Sequence, residues 1–467
     1  MREPILLSDI RSQLLGLEEK APLLDGSRRQ YVNFDNGAST PTFKPVHDQV
    51  TRFLRWYANV HRGTGFKSQL ASHIFEEARK ITARFIKIDL ENNTVLFTKN
   101  TTESINKLAH HFRFCTDEVV LTSMMEHHSN ELPWRNCCCI EHIDVRGDGS
   151  IDMNDYKEKV EKYRGRLRLV AVTGASNVTG FVNPIHEMAS LAHDVGAKIL
   201  VDAAQLAPHR PIDVKPDNDP GHLDFVAFAA HKMYAPYGIG VLTGNKKFFL
   251  ETDPDLVGGG TVDLVTLEQT YWTDLPDREE AGTPNIVGVV ALGAVISMLE
   301  RIGWDEVVAH EKRLTRYALE KFQKMPEVKV YGSADPNILD DRLGVISFNV
   351  KGLHHALVSA ILNYEGGIGV RNGCFCAHPY LIRLLDVSDT EAAKVQGEIL
   401  NRDRSHVPGA IRITFGIYNN EEEIDSLVEM LEKIIRNEYK GNYTLNPDSG
   451  AYSPEGFQVN FGDYWSF

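Results

Sequence analysis

The sequence predicts an α/β protein: a large domain on a mostly parallel sheet covered by helices, then a smaller α+β C-terminal domain. Short Val/Ile/Leu-rich runs alternate with helix-like segments through roughly the first two thirds of the chain. Runs apolar throughout, rather than alternating, belong to parallel sheets covered on both faces. After about residue 295 the texture changes, and the chain closes on an amphipathic helix.

In order, "NTVLFT" precedes the helix-like "TTESINKLAHHF", and "DEVVLTS" precedes "MMEHHSNELPW". "LRLVAVTG", "AKILVDAA", "LDFVAFAA" and "IGVLTG" follow as further strands, separated by polar or helical stretches. The long helix-like run "VGVVALGAVISMLERIG" leads to "EVKVYG", "RLGVISFNV", a helix, "GIGVRNG" and "AIRITFGI". In "NNEEEIDSLVEMLEKIIRN", Ile424, Leu427, Val428, Leu431, Ile434 and Ile435 recur at helical spacing. Asn420 caps this helix, and acidic residues fill its first turn, where the helix dipole favours them. The expected division is an N-terminal arm over 1–30 packing on the small domain, a large domain over 31–295, a small domain over 296–440, and an aperiodic tail over 441–467.

A net charge of −14 argues against nucleic-acid binding, which rests on neutralising phosphates. There is no basic block, low-complexity tract or solenoid repeat. The charge-interrupted N-terminus lacks the apolar core of a signal peptide, and no run approaches the roughly 18 apolar residues of a membrane span. Six cysteines in 467 residues do not make a disulfide framework. The expectation is a reduced, cytoplasmic protein. Cys137, Cys138 and Cys139 lack the paired C-x-x-C spacing of a metal site, so no metal is expected. These three and Cys115 are predicted to be buried as small hydrophobes.

Ligands of open α/β sheets bind beyond the carboxyl ends of the strands, so the polar residues there carry the chemistry. Asp202 ends "AKILVD", where a buried carboxylate is costly unless a cation meets it. Lys232, in "AFAAHKMYAPYGIGV", has apolar neighbours that lower an amine's pKa and make it a nucleophile. Read singly, either is equally a buried ion-pair partner. Together they suggest a Schiff-base lysine and an acid holding a protonated pyridine nitrogen, as pyridoxal 5′-phosphate requires. Thr101 and Thr102 open a helix after a strand, which is either an anion site or a plain cap. His127 and His128 follow the next strand, as a surface pair or with one imidazole stacked on a cofactor ring. "GVRNGCFCAHPY" sets Arg371 three and five positions before Cys374 and Cys376, a fixed cation beside two thiols.

With "NVHRG", "NTTESIN", "MEHHSN", "SNVTG", "VDAAQLAPH", "HKMYAPYGIGVL", "EAGTPN", "RLGVISFN", "VRNGCFCAHP" and "RITFGIYNNEEEID" in this order over roughly residues 30–435, the chain resembles the class V aminotransferase family of fold-type I pyridoxal-phosphate enzymes. Within it the chain looks most like group II cysteine desulfurases and selenocysteine lyases. The resemblance implies that Lys232 carries the cofactor, Asp202 pairs with the pyridine nitrogen and Gln205 with the ring oxygen. His127 would stack over the ring and move protons, with Asn177 beside cofactor and substrate. Thr102 and His231 would hold the phosphate, and Thr283 would reach the phosphate of a second subunit in a homodimer. Arg371 would clamp the carboxylate of an amino-acid substrate, L-cysteine or a relative, with His61 also in the substrate site. Cys376 would accept sulfur and pass it to an acceptor protein.

Three departures stand out. Ala229 replaces a phosphate-binding serine. Cys374 stands where the group commonly has histidine, and "GCFC" is similar to the desulfurase domain of molybdenum-cofactor sulfurases; this thiol is a relay, a resolving thiol or packing. The stretch 380–411 is longer than usual, and "SDTEAAKVQGEILNRD" reads as a capped helix that could serve as a lid or dimer contact. Arg412 reads as structural support for the site. The first reading is a desulfurase. The alternatives are a pyridoxal-phosphate C–S lyase giving pyruvate and ammonia, a selenocysteine lyase, an epimerase, or a carrier protein with a vestigial site.

Overall fold

A seven-stranded sheet centres the large domain in the computed structural model, which describes residues 5–61 and 63–467. The first four residues of the predicted arm and Arg62 of "NVHRG" lie outside the described residues. The strands are β1 (Asn93–Thr98), β2 (Val119–Ser123), β3 (Cys139–Ile143), β4 (Leu167–Thr173), β5 (Lys198–Asp202), β6 (Phe225–Ala229) and β7 (Gly240–Asn245). Their order is β1-β7-β6-β5-β4-β2-β3; β7 runs antiparallel to both neighbours and the remaining pairs are parallel.

Every residue of β1, β2 and β6 is buried, which is why these runs read as continuously apolar. Side chains alternate across a strand, so Val95 and Phe97 enter one core and Leu96 the other. The first core takes the inner faces of α1 (Phe66–Phe85) and α3 (Ile286–Ile302); the second takes α2 (Thr101–Phe112).

The boundary expected after residue 295 falls inside α3, whose buried side chains pack in the large-domain core as far as Ile302. A helix buried on nearly all sides carries no periodic sign of which unit it serves. The break comes at Gly303, with φ +89°, where α4 (Trp304–Phe322) turns away by 78°. α4 brings Leu314, Ala318 and Leu319 into the small-domain core. That core lies under an antiparallel sheet of β8 (Val328–Tyr331), β9 (Val345–Val350), β10 (Arg371–Gly373) and β11 (Ala410–Thr414), ordered β8-β9-β11-β10. Helix α5 (His355–Gly366) and α8 (Glu421–Ile435) cover it; Asn420 and Glu423 form the capping box of α8.

The arm does not serve the small domain alone. Ile10 and Leu14 sit in the large core, and Ile5 N–H donates to Arg301 O at 3.2 Å. The hairpin Lys20–Pro22/Arg28–Gln30 then reaches the small domain, where Leu24 N–H meets Tyr364 O at 2.8 Å. Arg11 joins the halves through Glu423 at 2.9 Å. The tail is not wholly irregular: Tyr443–Asn446 and Ala451–Pro454 pair as a hairpin against α5.

The cysteine expectation is corrected. Cys115 and Cys139 are exposed, Cys137 and Cys138 half-buried, and all six thiols are free. Cys139 begins β3, an edge strand with only one fully buried residue, so its side chain meets water. No single helix among the described residues is long and apolar enough to cross a membrane.

The long connection contains α6 (His378–Leu385) and α7 (Asp389–Leu400). Ser388 and Glu391 form a reciprocal capping box on α7, yet no side chain of α7 is buried. Its order therefore depends on the cap. Replacing Ser388 with alanine should cost the helix about 1 kcal/mol. Amide exchange across 389–400 should accelerate while the melting temperature stays within a degree or so.

Candidate active site

A cavity of about 800 Å³ opens where the carboxyl ends of β4, β5 and β6 face the small domain. Asp202 is the last residue of β5, and its Oδ1 accepts Ala204 N–H at 2.9 Å. Burial pushes this carboxyl up, opposed by the Ala204 amide and the Lys232 ammonium. Lys232 ends a single helical turn that follows β6 directly. Burial brings its amine down to about 8, against the upward pull of Asp202. The strands holding the two are neighbours in the sheet. Gln205 donates from Nε2 to Gly37 O at 2.9 Å in the same wall.

Asn100 caps α2 by accepting Glu103 N–H at 2.9 Å, so the amides of Thr101 and Thr102 stay outside the helical ladder. Thr101 Oγ1 is buried without a partner, and Thr102 Oγ1 reaches Ser129 Oγ at 2.7 Å. Gly240 makes this end of the sheet possible: a Cβ there would stand 2.6 Å from the Asn100 backbone. His231 lines the cavity, its pKa brought down to about 4 by burial and then by Lys232. Ala229, buried at the end of β6, offers only a methyl group. An unpartnered hydroxyl at a helix N-terminus, a buried carboxylate and a low-pKa amine in one cavity fit a phosphorylated pyridine aldehyde.

His127 Nδ1 accepts Ser129 N–H at 3.1 Å, and burial followed by the Lys232 charge lowers its pKa to about 3. It faces the cavity as a neutral ring. The loop it stands on is held by Glu126, which the sequence reading passed over. This buried carboxyl accepts Thr173 N–H at 2.9 Å and Asn130 Nδ2–H at 2.7 Å, and burial raises its pKa to about 8.

The small domain supplies the opposite wall. After β10, Cys374 to Ala377 form a tight turn closed by Ala377 N–H to Cys374 O at 2.9 Å. Phe375 and Cys376 both take positive φ, +54° and +55°, a pattern that favours glycine or asparagine. Such backbone is held from outside, at about 1–3 kcal/mol per residue. Asn177 Nδ2 donates to Phe375 O at 2.7 Å, His128 N–H donates to Cys376 O at 2.7 Å, and the Arg412 guanidinium lies 5.1 Å from the Phe375 ring. Cys376 is exposed at the cavity. Cys374, half-buried, donates to Pro408 O at 3.1 Å, and burial followed by Cys376 pushes its thiol up to about 11.

Two arginines share one carboxylate here. Asp35 meets Arg371 Nε at 3.2 Å and Arg412 Nη2 at 3.1 Å. Arg371 is half-exposed, whereas Arg412 is buried, donates to Asn177 O at 3.0 Å and keeps Nε without a partner. Arg412, read from sequence as support only, is part of the cavity wall itself. Its signal was a charged residue inside the apolar "AIRITF".

Two expected residues lie elsewhere. His61 and Thr283 line a separate cavity of about 290 Å³, where His61 Nδ1 stands 3.5 Å from Asp277 Oδ2. Thr283 was expected to serve a second subunit, but His61 was expected beside the substrate, and within one chain it is not there. Chain order gave no sign of which cavity "NVHRG" faces. Buried pairs Arg79–Glu280 at 2.8 Å and Lys107–Glu279 at 3.1 Å fasten the segment leading to Thr283.

The family model for Aminotransferase class-V matches residues 32–427. The chain is 36% identical over 418 residues to a cysteine desulfurase of Haloferax volcanii, covering 87% of this chain and 90% of that protein. It is 35% identical over 414 residues to a cysteine desulfurase of Escherichia coli O8, covering 86% and 93%. The apo structure of cysteine desulfurase from Thermococcus onnurineus NA1 superposes with a TM-score of 0.79 at 35% identity, over 94% of this chain and all of that one.

In cofactor-free protein, Lys232 attacks an aldehyde only as the neutral amine, so its reaction rate with pyridoxal phosphate should rise through a midpoint near about 8. Asp202 raises that midpoint, so Asp202→Asn should move it to lower pH. Stopped-flow absorbance across a pH series measures both.

Proposed function

This chain belongs to the class-V aminotransferase family, and we infer that within it the enzyme is a pyridoxal-phosphate-dependent cysteine desulfurase. It removes the sulfur of L-cysteine, leaves L-alanine, and holds the sulfur as a persulfide on Cys376. The observation that carries this reading is an exposed thiol on a fixed turn, in one cavity with the Lys232–Asp202 pair.

Bound pyridoxal 5′-phosphate supplies an electron sink for negative charge on the substrate's carbons. The amides of α2, Thr101, Thr102 and His231 would hold its phosphate; Asp202 would pair with the ring nitrogen and Gln205 with the ring oxygen, and the neutral His127 ring would stack on it. The missing serine at position 229 leaves this phosphate site leaning on Thr101, whose hydroxyl has no other partner. Arg371 would receive the substrate carboxylate, with Arg412 behind it holding Asn177 and Asp35 in place. This fixes the side-chain sulfur toward Cys376, and orientation of this kind is worth several orders of magnitude in rate.

Lys232, released as an amine of lowered pKa, takes the α-proton. The Cys376 thiolate attacks the substrate sulfur: the S–S bond forms and the Cβ–S bond breaks, its electron pair passing to carbon. One proton delivered at Cβ and the α-proton returned to Cα, by Lys232 or His127, complete alanine. The exposure of Cys376 then lets an acceptor thiol collect the sulfur. His61 and Thr283 line a cavity apart from their own chain's site, which suits a homodimer in which both complete the partner's site. Six free thiols suit a reducing compartment.

Incubation of cofactor-loaded protein with L-cysteine should give alanine and, by mass spectrometry, a persulfide on Cys376 that Cys376→Ala abolishes. Lys232→Ala should lose the absorbance near 420 nm. Pyruvate and ammonia, formed equally well by Cys376→Ala, would instead identify a C–S lyase.

A further inference from the structure

Cys376 is flanked by a contact that the sulfur chemistry does not by itself require. His378, two residues on, is the first residue of α6, whose Tyr380 and Leu381 are buried in the large-domain core, and His128 belongs to the loop after β2. Their rings lie parallel within 3°, with centroids 4.9 Å apart. His378 Nδ1 stands 3.0 Å from His128 Nε2, and the His378 backbone N–H points at the same nitrogen at 3.4 Å. The His128 backbone N–H already holds Cys376 O at 2.7 Å. One residue of the loop after β2 therefore grips the segment at two points directly after the Cys376 side chain.

The protons follow from these contacts. A backbone N–H can only donate, so His128 Nε2 is an acceptor, and the His128 proton sits on Nδ1. His378 Nδ1 then carries a hydrogen and donates it to the same nitrogen. A proton added to His128 Nε2 would set one donor against two donors and undo the contact. His128 is also faced by Glu131, Arg135 and His127, and His378 by His128. Burial and then His378 lower the His128 pKa, and burial lowers that of His378, so both are neutral at physiological pH.

We propose that the His128–His378 contact is a clasp between the loop after β2 and the start of α6 that positions Cys376 for sulfur attack, and that it is closed only while His128 Nε2 accepts. The proposal rests on the reading above that Cys376 is the sulfur-accepting thiol. Phe375 and Cys376 sit in left-handed backbone that neither prefers, so the turn relaxes when a hold is removed. Asn177 restrains Phe375 from one side; the clasp restrains Cys376 from the other. Both histidines act through the backbone of Cys376 and are positioning residues, with no role in binding the amino acid.

The test uses cofactor-loaded full-length enzyme in single turnovers with L-cysteine, quenching by alkylation and quantifying the Cys376 persulfide. His378→Ala should slow persulfide formation about tenfold or more. The substrate-dependent absorbance change of the cofactor should keep its concentration dependence. Amide exchange in the peptide spanning 374–385 should accelerate. His378→Gln is the discriminating variant. Its amide N–H restores the donor while His128 is neutral, and its carbonyl can turn to accept once His128 is protonated. It should therefore recover most of the rate at neutral pH and decline less steeply toward acid than the wild type. Wild-type rate and exchange in His378→Ala, or an unchanged acid decline in His378→Gln, would overturn the clasp. A wild-type enzyme without a Cys376 persulfide would overturn the desulfurase reading instead, and the exchange comparison would still decide whether the two histidines hold the segment.

Discussion

Asp202 and Lys232 close adjacent strands of one sheet, and each offsets part of the other's burial. A carboxylate alone at the end of β5 would take up a proton; an amine alone after β6 would lose its charge entirely. Side by side they share a polarised cavity floor, with the amine left near neutrality and the acid ready to face a cation. The parallel sheet makes the meeting possible. Successive strands deliver their carboxyl ends to the same edge, so residues 30 apart in sequence become neighbours. Glu126 and His127 arrive at that edge after β2, and Thr101 and Thr102 after β1.

The other half of the site depends on the two domains meeting. Asp35, from the segment entering the large domain, binds Arg371 and Arg412 of the small-domain sheet. Asn177 of the large domain donates to Phe375 and accepts from Arg412. Farther out, Arg210 reaches Glu311 of α4 at 2.7 Å, and the arm touches both units. Phe375 and Ala377, on either side of the reagent cysteine, pack in the large-domain core, while Arg371 before it belongs to the small-domain sheet. The placement of the turn is set where the two units meet, by a few charged contacts, of which the buried ones are costly to break because a lone charge would be left behind.

What the sequence disclosed divides along physical lines. Fully buried strands show themselves as apolar runs, and Asp202 and Lys232 are conspicuous because charge at such a run's end needs a reason. The caps of α7 and α8 were legible because capping is local, with Ser388 or Asn420 three residues before a glutamate. The limit of α3 was not, since a helix buried all round has no polar face to mark its domain. Nor was the meeting of Asp35 with Arg371 and Arg412, because ion pairs between distant segments leave no mark on spacing. The cavity that His61 lines was hidden for the same reason, as two cavities compete for residues of similar chemistry. Cys139 misled because edge and central strands share one composition; only the strand order says which of them meets water.

The turn bearing Cys376 also sets a trade for anyone altering this protein. Glycine or asparagine at Phe375 would relax a left-handed residue, but Phe375 is also buried in the large-domain core, and emptying its place costs more than the backbone returns. Either change would also remove the aromatic ring on which Arg412 rests, and free the turn that the large domain holds. Backbone ease and side-chain packing compete at a single residue. Heat tolerance selected without reference to turnover would therefore keep the phenylalanine, and with it the strained turn beside the reactive thiol.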